Sequence, residues 1–153
     1  MRFTNAYTAS EAHAIAGVTV KQINDWSRWG AVQADLRPPN GSGSLRLFSR
    51  SGVLKLFVVG ELRKLGLPMT ARIMPIVQRM DEDGEFSQDP PNRVYLIRPG
   101  VIRCYDCHQV IDVLRAWIND YKGPFTCLDM MTLRDRFARR LTEHDDTPLK
   151  GTP

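Results

Sequence analysis

Apolar and polar positions divide the chain into stretches of helical and of strand-like spacing. Ala12, Ala14, Ile15 and Ala16 mark a short first helix over 8–16. It opens on Thr8-Ala-Ser-Glu11, the spacing of a capping box, in which hydroxyl and carboxylate satisfy N–H groups that the first turn leaves free. Gly17 stops that helix, because glycine enters the left-handed region at little cost. Thr19 then caps a second helix over 19–29. There Val20, Ile23 and Trp26 share a face, while Lys21, Gln22, Asn24, Asp25 and Arg28 point elsewhere. Gly30 ends it. Asn40-Gly41 predicts a hairpin turn between short strands at 35–37 and 45–48. In the second of these, Leu45 and Leu47 fall on one face and Arg46 and Phe48 on the other.

The spacing then returns to helical. Ser49 or Ser51 caps a helix over 52–65 in which Val53, Leu54, Leu56, Phe57, Val58 and Leu62 are apolar, and Gly66-Leu-Pro68 stops it. A further helix over 70–80 carries Ile73, Met74, Ile76, Val77 and Met80, with Pro75 expected to kink it unless it starts there. The segment 81–92 is acidic and rich in Gly and Pro, which reads as a linker or loop. Beyond it, 94–97 and 101–104 are strand-like around the turn residues Arg98-Pro-Gly100. Asp106 caps a helix over 107–121 with Val110, Ile111, Val113, Leu114, Trp117 and Ile118 apolar. A third strand over 125–129 precedes a helix over 133–141 capped by Thr132, with Leu133, Phe137 and Leu141 one turn apart. The expected fold class is α+β, with a first domain 1–80 of helices and one wing-like hairpin, a linker 81–92, a small ββαβα module 93–141 and a polar, frayed tail 142–153. Residues 1–6 form a lead-in with strand character around Phe3.

Charge sharpens this division. Residues 1–70 hold nine Lys/Arg against four Asp/Glu, whereas residues 71–153 hold twelve against thirteen. The basic excess lies in the first half, which suits an anionic partner such as duplex DNA. A polar helix after a tight turn is also the shape that reads a major groove. No apolar run is long enough for a membrane span and no secretory leader is visible, so a cytoplasmic chain with reduced cysteines is expected.

Tyr7-Thr-Ala-Ser-Glu-Ala, followed by Gly17-Val-Thr-Val-Lys-Gln-Ile-Asn-Asp-Trp-Ser-Arg-Trp-Gly30, resembles the winged helix-turn-helix of MerR-type bacterial transcription regulators. Arg46-Leu-Phe-Ser49 resembles that family's wing-strand motif, and Val53-Leu-Lys-Leu56 and Glu61-Leu-Arg-Lys-Leu-Gly66 its later helical signatures. The resemblance spans about residues 5–70. It implies a DNA-binding regulator, not an enzyme, that binds double-stranded DNA as a homodimer and acts with RNA polymerase at promoters. Lys21, Gln22 and Asn24 are then expected at or near base edges, where Asn pairs with adenine and Lys or Arg with guanine. Thr8, Thr19, Arg28, Arg37, Ser44 and Arg46 are expected on the phosphate backbone, with Trp26 at a position where the family carries a backbone-touching aromatic. Asn24 stands where the family commonly has Arg, and His13 where it usually has Ala. The long dimerising helix of many members is replaced by the short helix 70–80, so the sequence does not place a dimer interface.

Other chemistry is weaker. Cys104-Tyr-Asp-Cys107-His108 is a C-x-x-C-H string, the pattern of c-type haem attachment, but that attachment needs export. With Cys127 the same residues are the right donors for zinc, although a structural site usually has two paired knuckles. No metal or cofactor is therefore expected, and the cysteines read as ordinary thiols. No nucleophile elbow, P-loop or dinucleotide fingerprint occurs. The alternatives kept open are an excisionase-like architectural DNA-binding protein and a metal, redox or small-molecule sensor acting through 93–141.

Overall fold

The computed structural model describes residues 5–37, 45–120 and 123–147. The elements in order are β1 (Tyr7–Thr8), α1 (Ala9–Ala16), α2 (Val20–Arg28), β2 (Leu47–Phe48), α3 (Arg50–Lys64), α4 (Met74–Glu82), β3 (Val94–Arg98), β4 (Val101–Tyr105), α5 (Val110–Asp120), β5 (Thr126–Asp129) and α6 (Met130–Asp146). A π-helical turn, Met69–Ile73, precedes α4, and a 3₁₀ turn, Cys107–Gln109, precedes α5. The class is α+β. The tip of the expected hairpin, the strand around Phe3 and the last residues of the tail lie outside the described residues.

α3 is the centre of the molecule. Val53, Leu56, Phe57, Val58, Val59 and Leu62 are each fully buried, so this helix is apolar on nearly every side, the pattern of a helix enclosed by others. α1 packs on it, and so does α6 from the far end of the chain. Phe137 of α6 meets Phe57 of α3 with ring centroids 5.9 Å apart, and Arg136 bonds Glu61 at 3.0 Å. One apolar cluster runs from Ala12 through Phe57 and Tyr95 to Leu141.

In the second sheet the order is β4-β3-β5, antiparallel throughout, with Tyr95 opposite both Cys104 and Leu128. All of Val94 to Ile97 in the middle strand is buried, as expected of a strand covered on both faces.

Several expectations change. The 81–92 segment is not an open linker. Glu85 and Phe86 are buried, and the Glu85 carboxylate accepts from Arg134 Nη2 at 2.6 Å and from the Arg93 backbone N–H at 2.7 Å. A buried carboxylate needs such partners; one lies just before β3, and the other comes from α6, far away in sequence. The helix begun at Asp129 rather than Thr132 continues to Asp146, so 142–146 is helical and not frayed tail. Pro75 causes no mid-helix break, because the π turn ends just before it and leaves it in the first turn of α4, where a missing N–H costs nothing. α5 buries no residue, and Ile111 and Ile118 are 69% and 62% exposed despite the apolar pattern.

Candidate nucleic-acid interface

The geometry of the first two helices is built from local hydrogen bonds. Thr8 caps α1: its hydroxyl accepts from Glu11 N, and Glu11 Oε2 accepts from Thr8 N at 2.8 Å. Gly17 leaves α1 at φ 72° and donates to His13 O at 3.0 Å. His13 Nδ1 lies 2.6 Å from Val18 O, which ties the turn back onto α1. Thr19 repeats the capping box on α2, accepting from Gln22 N at 3.1 Å while Gln22 Oε1 accepts from Thr19 N at 2.9 Å. Ile23 and Trp26 bury the inner face of α2, and Val20 at its start remains 39% exposed.

Lys21, Asn24, Asp25 and Arg28 recur at i, i+3, i+4 and i+7, on the face turned away from Ile23 and Trp26. Lys21 pairs with Asp25 at 2.8 Å but keeps 85% of its side chain in solvent. That Lys21 hydrogen bond, opposed by burial and joined by the charges of Lys21 and Arg28, lowers the Asp25 carboxyl.

The wing is anchored at its base. β2 pairs antiparallel with β1, Tyr7 opposite Phe48, and Arg37 bridges to Leu47. Of the two expected wing strands, the first is thus reduced to a bridge at Arg37, and β2 takes the stretch before α1 as its partner. The Asp35 carboxylate accepts from Ser49 N at 2.8 Å and from the Ser49 hydroxyl, while Ser49 caps α3. This joins the ascending side of the wing to α3. At the same level Arg46 Nη1 donates to Asn24 Oδ1 at 2.6 Å. The wing base and the exposed face of α2 are therefore one continuous surface.

The sequence-derived residues sort as follows. Lys21, Arg28 and Arg37 are exposed, and Lys21 and Arg28 share the open face of α2. Arg46 is half-buried beside Asn24. Asn24 has its carbonyl oxygen committed to Arg46, so bidentate reading of adenine, which needs both amide atoms, is not available in this arrangement. Gln22 spends its oxygen on the helix cap and retains its amide N–H₂. Thr8 and Thr19 serve as caps. Trp26 is 2% exposed, which removes it from any contact with DNA; its ring fills the space beneath α2. Ser44 lies outside the described residues. The sequence marks Ser49 only as a helix cap and wing-motif residue, and does not single out Asp35 or Gly60. Asp35 and Ser49 meet only when the wing folds over α3. At Gly60 a Cβ would lie 2.6 Å from Val18 Cγ1, so α3 passes against the helix-turn-helix where only glycine fits.

The Cys/His group does not converge. Cys104 faces Tyr95 and Cys127 faces Leu96, adjacent residues of β3 whose side chains project to opposite sides of the sheet. Among the described residues no cluster of three or more His, Cys, Asp or Glu is placed to hold a metal ion. No helix among them is long and apolar enough to cross a membrane.

A capped helix pair joined by a glycine turn, with a strand-anchored wing beside the second helix, defines a winged helix-turn-helix. Residues 7–73 match the family described as "MerR HTH family regulatory protein". The chain is also similar to uncharacterized HTH-type transcriptional regulators of Mycobacterium bovis and Mycobacterium tuberculosis. It is 32% identical to each over 112 residues, which cover 72% of this chain and 48% of the relative. The chain thus spans about half the length of the curated relatives it matches.

Proposed function

We propose that this protein is a sequence-specific, DNA-binding transcription regulator that lays α2 in a major groove and its wing, 35–48, along the neighbouring phosphate backbone. The observation that carries this reading is the Asn24–Arg46 hydrogen bond, which joins the recognition helix to the wing as a single basic surface. Lys21, Gln22 and Arg28 are assigned to the groove and its walls, and Arg37 and Arg46 to phosphates. Asn24 is reassigned from base reader to the residue that holds Arg46. Thr8 and Thr19 act through their caps, which aim the first-turn N–H groups of α1 and α2.

The regulator works as a homodimer next to RNA polymerase; the exposed Ile111 and Ile118 of α5 support self-association. Selection of duplexes from a random pool, followed by binding titrations over a range of salt, tests the reading. Recovery of a two-half-site motif bound with a steep salt dependence supports it. A protein that ignores duplexes even at low ionic strength refutes it.

A further inference from the structure

Two clefts meet at Arg72, between the π-helical turn that leads into α4 and the β3–β4 hairpin. The larger, about 340 Å³, has apolar walls from Pro75, Ile76, Ile97, Val101 and Ile102. The smaller, about 210 Å³, lies on the other side of Arg72 and Ile97 and is lined by Leu67, Arg98, Pro124 and Phe125 among others. Ile76 and Ile97 are almost fully buried and form an apolar floor. Among the described residues the two linings include two guanidinium groups, Arg72 and Arg98, and no carboxylate.

Arg72 is held rather than loose. The widened turn has both Arg72 N and Ile73 N donating to Pro68 O at 3.1 Å, and Arg72 Nη1 donates to Arg98 O at 3.1 Å. Short π segments of this kind recur at functional sites. One of five guanidinium N–H groups is thereby used, and among the described residues no acidic side chain forms an ion pair with Arg72. A fixed, half-buried guanidinium beside an apolar trough matches a carboxylate on an apolar body: the planar fork takes both oxygens and the trough takes the hydrocarbon.

We propose that this double cleft binds a small organic carboxylate with an apolar tail, its head on Arg72 and its tail along Pro75, Val101 and Ile102. The assignment does not depend on DNA binding. Trp117 stands beside the smaller cleft, with Arg98 over its ring at 5.0 Å and Phe125 at 5.6 Å, and supplies a reporter.

The test titrates the full chain, without DNA, with octanoate and with octanol, followed by tryptophan fluorescence and calorimetry. Octanoate is expected to bind saturably and octanol at least roughly tenfold more weakly, the value of a hydrogen-bonded charge. Arg72→Gln should abolish the preference, Arg72→Lys should keep part of it, and Val101→Trp should block both ligands, each variant being checked for native circular dichroism. Equal binding of the two ligands, undiminished octanoate binding by folded Arg72→Gln, or no octanoate binding by the wild type would each overturn the proposal.

Discussion

If Asn24 positions Arg46 rather than reading a base, the two residues must act as a unit on DNA. Arg46→Ala removes one phosphate contact, which lowers the slope of log K against log salt by about 0.9. Between about 50 and 200 mM salt, a fourfold change, the wild type should then lose roughly 3.5-fold more affinity than the variant. Asn24→Ala leaves the cation in place but frees it. The lost bond joins a charged donor to a neutral acceptor at 2.6 Å in a half-buried setting. Discounted for solvent, it contributes about 1 kcal/mol, so affinity should fall roughly fivefold on every duplex sequence. In the Arg46→Ala background the same Asn24→Ala change should cost nothing further, giving a coupling of about 1 kcal/mol in a double-mutant cycle. Fluorescence anisotropy of a labelled duplex with the four proteins reads all of this. Additive losses, or an Asn24→Ala variant that selects a different base at one position, would show that Asn24 reads DNA directly.

Other perturbations test the fold that carries the surface. Arg134→Met strands the Glu85 carboxylate, which is 0% exposed, and should cost roughly 3–5 kcal/mol in urea unfolding; a loss near zero would mean that the 81–92 segment does not anchor α6. Gly60→Ala gains about 1 kcal/mol of helix propensity but drives a methyl to 2.6 Å from Val18, a stiff β-branched side chain in the turn. Overpacking of about 1–3 kcal/mol should win, and Val18→Ala should rescue it in the double variant. If Gly60→Ala stabilises the protein, the close approach of α3 to the turn is not rigid. Burial pushes the Asp83 carboxyl up, but hydrogen bonds from Tyr95 and Arg79 outweigh it and hold the group below its ordinary value. A depressed carboxyl contributes stability above its unfolded value, lost as pH falls through the folded one. Asp83→Asn should therefore flatten the acid side of the stability profile below about pH 4, and an unchanged acid limb would contradict that role.

The helix-turn-helix was legible because its signals are local. Thr8 with Glu11, Thr19 with Gln22, and Gly17 between them act within one helical turn, so their spacing in the sequence is already their spacing in space. The alternation of β3, β4 and β5 with α5 and α6 was readable for the same reason. Periodicity also marked which faces are apolar. It carried no information about what covers them. Trp26 and Ile23 turned inward into the core beside the first helix, whereas the equally apolar Ile111 and Ile118 stayed in solvent.

The order of residues along the chain by itself determined that the first half is basic, helical and capped at defined residues, since those properties belong to single residues and their near neighbours. Folding decided the rest. Glu85 found Arg134, Asn24 found Arg46, and Phe137 came to rest on Phe57, each across a stretch of chain that no short-range rule can span. Such partners are selected by the packing of the whole core, because a buried charge or a free side-chain amide is satisfied by whatever group the global fold brings within reach.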